Sequence, residues 1–211
     1  MSLLAGIRVL DLSRILAGPW CTQLLADYGA DVTKIERPGG GDDTRRWGPP
    51  FFHGHDREAA NGEAVAAYFL ACNRGKRSVA LDFAQPEGQA LLLRLADAAD
   101  VLVENYLPGT LARYGLDYAT LSARNPQLVY CSISGFGQSG ANAARPGYDA
   151  MIQAEAGLMS LTGIADGEPG AGPQKVGVAV SDLMCGMYAA TAILAALNAR
   201  AATGRGTHLD L

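Results

Sequence analysis

Asp182 is a side chain whose type and place could let it form a covalent bond with a substrate. It follows the apolar stretch Val176 to Val180 and is expected to open a helix. There the positive end of the helix dipole keeps a carboxylate ionised and so nucleophilic. An aspartate in the same place also serves as an ordinary N-cap, worth about 1 kcal/mol, and spacing alone leaves both roles open. The following stretch, Leu183 to Tyr188, holds Gly186 and, as a neighbouring ionisable group, Cys185. A second set of residues suits a nucleotide: Arg37, the amide of Asn105 and the ring of Tyr106, with Arg113 one helical turn further on. Arg37 and Arg113 are read equally well as surface charges. Other chemistries find no support. Leu16-Ala17-Gly18-Pro19 stands where a G-x-G-x-x-G dinucleotide fingerprint would follow the first strand, and Gly39-Gly40-Gly41 lacks the GK[ST] ending of a phosphate loop and reads as a hinge. His53 and His55 lack a third partner for a metal, so they are read as solvated loop residues and no metal is expected. G-x-S-x-G does not occur.

The elements that must position these residues alternate. Ile7 to Leu12 reads as a buried strand, followed by the loop Ser13 to Pro19 and a helix from Trp20 to Tyr28 that ends at Gly29. Asp31 to Glu36 is a second strand, giving a right-handed parallel βαβ unit. A long polar loop, 38–62, is of a length usually reserved for function or mobility. A helix over Glu63 to Cys72, a strand over Ser78 to Asp82 and a helix from Pro86 to about Ala98 come next. Val101 to Val103 and Leu128 to Ile133 are further strands, separated by short helices at Gly109 to Tyr114 and Tyr118 to Ala123. The pattern predicts an α/β fold, an open, mostly parallel Rossmann-like sheet flanked by helices. Ligands of such sheets bind at the carboxyl ends of the strands, where the loops Ser13 to Pro19, Arg37 to Gly41 and Asn105 to Pro108 fall. Beyond Gly135 the expectation is a helix near Tyr148 to Leu161, a loose segment, a long apolar helix from Asp182 to about Ala199, and a final strand from Thr207. The sequence stops inside that strand, so a truncated chain is expected.

The bulk figures agree with this. The chain has 211 residues, 49% hydrophobic and 18% charged, enough for a sizeable core. A net charge of −4 argues against a nucleic-acid backbone as partner. Cys21, Cys72, Cys131 and Cys185 are dispersed, which fits reduced thiols and a cytoplasmic location. No signal-peptide pattern opens the sequence, and the apolar run at Tyr188 to Leu197 reads as too short to span a bilayer, so no membrane partner is expected.

Several segments together resemble the class III CoA-transferases, the CaiB/BaiF family. They are Gly6 to Leu12, Ala17-Gly18-Pro19, Lys34 to Pro38, Asn73, Lys76-Arg77-Ser78, Leu81-Asp82, Pro86-Glu87-Gly88, Val103 to Tyr106, Pro108-Gly109, Gly147-Tyr148-Asp149 and Gly204-Arg205-Gly206, in the family's order. The resemblance implies that Asp182 is the catalytic aspartate. It implies that coenzyme A, as acyl-CoA substrate and not as a resident cofactor, is held by Leu16, Ala17, Arg37, Leu81, Asn105, Tyr106 and Arg113. Ala84 and Ser134 stand where some relatives carry lysines. Tyr148 and Asp149 are substrate-site candidates. The family's racemase branch has a histidine where Tyr148 stands, and tyrosine, with an ordinary pKa near 10, is a poor base near neutrality.

The expected activity is therefore exchange of CoA between an acyl-CoA and a small carboxylic acid, with racemisation and an inactive CoA-binding or pairing fragment as the alternatives. Residues 1–140 would form the CoA-binding domain and 141–211 the long-helix region and the start of a smaller domain. Family members are roughly twice this length and form interlocked homodimers, which is the assembly the resemblance implies.

Overall fold

Short runs rich in valine, leucine and isoleucine form the strands of the central sheet. They are β1 (Arg8–Asp11) and β2 (Asp31–Glu36), and the peripheral β3 (Phe51–Phe52) and β4 (Val65–Ala66) lie outside it. The sheet continues with β5 (Lys76–Ala80), β6 (Val101–Glu104), β7 (Val129–Ser132) and β8 (His208–Asp210). The computed structural model describes residues 2–53 and 64–211. Its six-stranded sheet has the order β5-β2-β1-β6-β7-β8 and every pairing is parallel. The chain moves outward from β1 to β5, then returns to lay β6 on the other side of β1. That reversal creates a crevice between the carboxyl ends of β1 and β6, the place where such sheets bind ligands.

The two-residue period of each strand divides the core into two layers. Val9, Val32, Val101, Val103 and Val129 face α1 (Ala17–Asp27) and the C-terminal helix, with Cys21, Leu25, Ala189 and Ile193 between them. Leu10, Ile35, Leu102 and Tyr130 face the opposite way and are covered by Leu92 and Ala96 of α3 (Pro86–Asp97) and Leu121 of α4 (Tyr118–Arg124).

Several boundaries differ from those expected. Helix α1 begins at Ala17 rather than Trp20, because Pro19 falls in the first turn, where its missing N–H costs nothing. The expected helix from Glu63 shrinks to α2 (Ala67–Asn73), with Val65 and Ala66 pairing instead with Phe52 and Phe51. Strand β5 starts at Lys76, two residues before the expected Ser78. Within the loop expected over 38–62, Asp43–Arg46 forms a 3-10 turn capped by the Asp42 side chain. His53 is exposed, and His55 lies outside the described residues. The expected helix over Tyr148 to Leu161 is two, α5 (Asp149–Glu155) and α6 (Leu158–Leu161), divided where Gly157 takes φ +81°. No strand forms over Val176 to Val180, and the last helix, α7 (Val180–Thr203), starts two residues ahead of Asp182.

At 24 residues, α7 is long and apolar enough by length and composition to cross a bilayer. This corrects the reading of its apolar run as too short. Here it packs on α1 and the sheet through Ala189, Ala190 and Ile193.

Candidate active site

A cleft of about 490 Å3 opens at the crevice predicted by the strand order. The loop after β1 contributes Arg14, Ile15, Leu16 and Ala17; the loop after β6 contributes Asn105, Tyr106 and Leu107. Ile133 to Gly135, the turn Arg145 to Tyr148, and Ser181, Asp182 and Cys185 of α7 complete the wall. The structure thus brings together Leu16, Ala17, Asn105, Tyr106, Tyr148 and Asp182 from four separate parts of the sequence.

Glycines set the closeness of these parts. A Cβ on Gly186 would stand 2.5 Å from the Ala17 carbonyl oxygen, so only glycine lets α7 cross α1 at a spacing that brings Asp182 to the loop after β1. A Cβ on Gly135 would meet Gly147 Cα at 2.5 Å, so two glycines clamp the turn bearing Tyr148 onto the loop after β7.

Asp182 is the third residue of α7, not its cap. The N-cap residue is Ala179, and the first-turn amides are met from α5 by Asp149, whose Oδ1 accepts from Ser181 N at 2.8 Å and from Asp182 N at 3.4 Å, while its Oδ2 accepts from Gln153 Nε2 at 2.6 Å. Among the described residues no donor reaches the Asp182 carboxylate. Burial, with a smaller contribution from the Asp149 charge, pushes its pKa from 3.8 up to about 6. The expectation that the helix dipole dominates this group is therefore corrected: desolvation wins. The carboxylate still ionises at neutral pH, and its higher basicity makes it the stronger nucleophile. Cys185 beside it is pushed up to about 11 by burial and Asp182, so the thiol stays protonated near neutrality.

The loop after β1 is held in a strained shape. Ile15 has φ +72°, a left-handed conformation that a β-branched residue adopts only when its surroundings impose it. Asn105 clamps the neighbouring Arg14, donating from Nδ2 to the Arg14 carbonyl at 2.7 Å and accepting from the Arg14 N–H at 2.8 Å. Lys34 Nζ donates to Ser13 O at 2.8 Å and pairs with Asp42 at 3.0 Å, both side chains fully buried. Asp42 in turn accepts weakly from Ile15 N at 3.3 Å. Beneath them Asp11 accepts from Ser13, Thr22 and Lys76. Burial opposes the Asp11 charge, but Lys76, Lys34 and the two hydroxyls outweigh it and hold the carboxyl well below its usual range.

A second cleft of about 250 Å3 shares Arg14, Tyr106 and Thr110 with the first and is lined by Arg37 and Leu81. Arg37 pairs with Asp43, and Tyr106 lies under the Arg14 guanidinium, 5.4 Å from its ring centroid. Arg113 is exposed on the 3-10 turn Leu111–Tyr114 and is not part of either lining.

Residues 4–211 match the model of CoA-transferase family III. The chain belongs to CoA-transferase family III. Among its relatives, a succinate–glutarate CoA-transferase of Agrobacterium fabrum is 53% identical over 209 residues, covering 99% of this chain and 50% of that protein. A succinyl-CoA:mesaconate CoA-transferase of Haloarcula hispanica is 45% identical over 214 residues, covering 100% of this chain and 51% of that one. The crystal structure of a CaiB/BaiF family protein from Brucella suis superposes with a TM-score of 0.88 at 54% identity, covering 97% of this chain and 51% of that chain. The chain spans about half the length of the curated relatives it matches.

The sequence reading names loops that line this cleft but not the frame beneath it, which Lys34, Asp42, Asp11 and Lys76 form. The available signal was a lysine inside the otherwise apolar strand β2 and an aspartate ending β1, charges that are buried only when paired.

Proposed function

We propose that the protein is an acyl-CoA:carboxylate CoA-transferase working through a covalent adduct on Asp182, with small dicarboxylic acids as its substrates. The observation that carries this reading is a single carboxylate, free of hydrogen-bond donors among the described residues and raised to about 6, in the cleft at the sheet's switch point. The named substrates of the relatives support the choice of acids. The nucleotide end of coenzyme A would lie over Arg37 and Leu81, and its pantetheine arm would pass Tyr106, Leu16 and Ala17 to reach Asp182. Asn105 would act by fixing Arg14, since both its amide nitrogen and its amide oxygen are engaged there.

Asp182 attacks the thioester carbonyl, forming an aspartyl–acyl anhydride and releasing CoA thiolate. The thiolate attacks the aspartyl carbonyl, expelling the first acid and leaving an aspartyl-CoA thioester. The incoming carboxylate attacks that thioester, and the thiolate it frees attacks the new acyl carbonyl, restoring Asp182. Each step divides one difficult exchange into easier ones. The N–H groups at the start of α1, which have no intrahelical acceptor, border the same cleft and would stabilise the oxyanions. Racemisation is disfavoured because the described histidines, His53 and His208, lie outside this cleft and Tyr148 stands in it. An interlocked homodimer is the proposed assembly of the full-length protein.

Full-length enzyme incubated with succinyl-CoA and hydroxylamine is expected to acquire a hydroxamate at Asp182, located by mass spectrometry. An adduct elsewhere, or an Asp182→Ala enzyme that still transfers, would overturn the assignment. Deuterium uptake at the acyl α-carbon without acid exchange would favour the racemase.

A further inference from the structure

The cleft contains one carboxylate, Asp182, and two cations, Arg14 and Arg145. The two arginines are held differently. Arg14 belongs to both clefts, is clamped through its backbone by Asn105 and stacks on Tyr106, which places it beside the thioester arm. Arg145 lines only the Asp182 cleft, within the turn that Gly147 clamps onto Gly135. Its guanidinium lies over the Phe136 ring, 4.5 Å from the centroid, and pairs with Glu155 of α5. A guanidinium has five N–H donors in a planar fork, and one carboxylate partner leaves part of that fork free. Two residues before Phe136 on the same wall, Ser134 lines the cleft, and among the described residues its buried hydroxyl has no hydrogen-bond partner. A buried hydroxyl without a partner is uncommon and calls for an explanation.

We propose that Arg145, assisted by Ser134, binds the distal carboxylate of a dicarboxylic acyl group, the end not joined to CoA. This rests on the CoA-transfer reading and assigns its acid specificity. A flat fork supported on an aromatic face matches a carboxylate in geometry as well as charge. A purely aliphatic acyl chain would satisfy neither the fork nor the hydroxyl. Glu155 pairs with this guanidinium and would compete with the incoming carboxylate for it.

The test uses full-length enzyme with succinyl-CoA as donor, comparing glutarate with its monomethyl ester as acceptor. Arg145→Gln is expected to lower the glutarate-to-ester ratio of kcat/KM by about tenfold or more, chiefly through the KM for glutarate, with Arg145→Lys falling between. Glu155→Gln separates binding from scaffolding: it leaves the glutarate KM unchanged or lowers it, whereas a merely structural pair predicts the same loss from either substitution. A ratio that stays within about twofold in Arg145→Gln while transfer persists overturns this proposal alone. So does an equal loss in both single variants. Unsubstituted enzyme that transfers to neither acceptor overturns the CoA-transfer reading and this assignment with it.

Discussion

The Asp182 carboxylate costs stability when it ionises, and pH is the means of seeing this. A carboxyl moved from 3.8 to about 6 carries a penalty of at most ~3 kcal/mol when ionised, which solvent screening at an open cleft reduces to about 1 kcal/mol. The sign follows from the folded chain holding this proton more tightly than the unfolded one: the contribution is favourable in acid and is lost as pH rises from about 4 to about 6. Asp182→Asn, which keeps the shape without the charge, is therefore expected to raise the melting temperature by a few degrees at pH 8. The gain should vanish below about pH 4. Thermal scans of both proteins across that range check it, and a constant difference at every pH would refute the cause assigned to the shift. In the full-length enzyme, adduct formation should fall below about pH 6 with the ionised fraction. The place of Asp182 at a helix start was legible in the sequence, but residue type and spacing did not separate it from an ordinary cap, and the family resemblance singled it out. The magnitude and direction of its shift were not legible, because burial and Asp149 come from parts of the chain 33 residues apart in sequence.

At the scale of elements, the parallel sheet was readable because β1, β2, β6 and β7 stand as short apolar runs between turns and helices, whereas the strand order was not readable. The places where the reading slipped are those where tertiary contact overrides local preference. Val65 and Ala66 leave the helical pattern to pair with the two phenylalanines, and Gly157 breaks a helix whose apolar spacing runs through it. The α1–α7 crossing was equally out of reach, since nothing in the sequence shows which residue Gly186 would approach. Its cost to helix propensity, about 1 kcal/mol relative to alanine, is outweighed by the approach it permits. Gly186→Ala should therefore destabilise despite improving propensity. With the Ala17 carbonyl 2.5 Å away, the helices must separate, for an expected loss of about 1–3 kcal/mol in urea unfolding and a fall in adduct formation on Asp182. A variant as stable as its parent would mean that the crossing is not tight.

For the molecule as a whole, the layers explain what is covered and what is not. One side of α7 is sealed by Ala189, Ala190 and Ile193 against α1 and the sheet. On another side Met184, Met187 and Tyr188 are 43%, 50% and 62% exposed, and their i, i+3, i+4 spacing makes them a single stripe. Isolated surface apolar residues are normal, but a stripe of large ones beside an open cleft marks a surface made for contact. The curated relatives are about twice as long, so in those proteins further chain is available to cover such a stripe. Residues 1–211 alone are expected to self-associate through it, with sedimentation velocity showing larger species as concentration rises into the range on the order of 100 µM. Replacing Met184, Met187 and Tyr188 together by glutamine should shift the distribution towards monomer and leave stability within about 0.5 kcal/mol per site, because exposed side chains contribute little to the fold. Association that persists unchanged in the triple variant would direct attention away from α7 and towards the open edges of the sheet at β5 and β8.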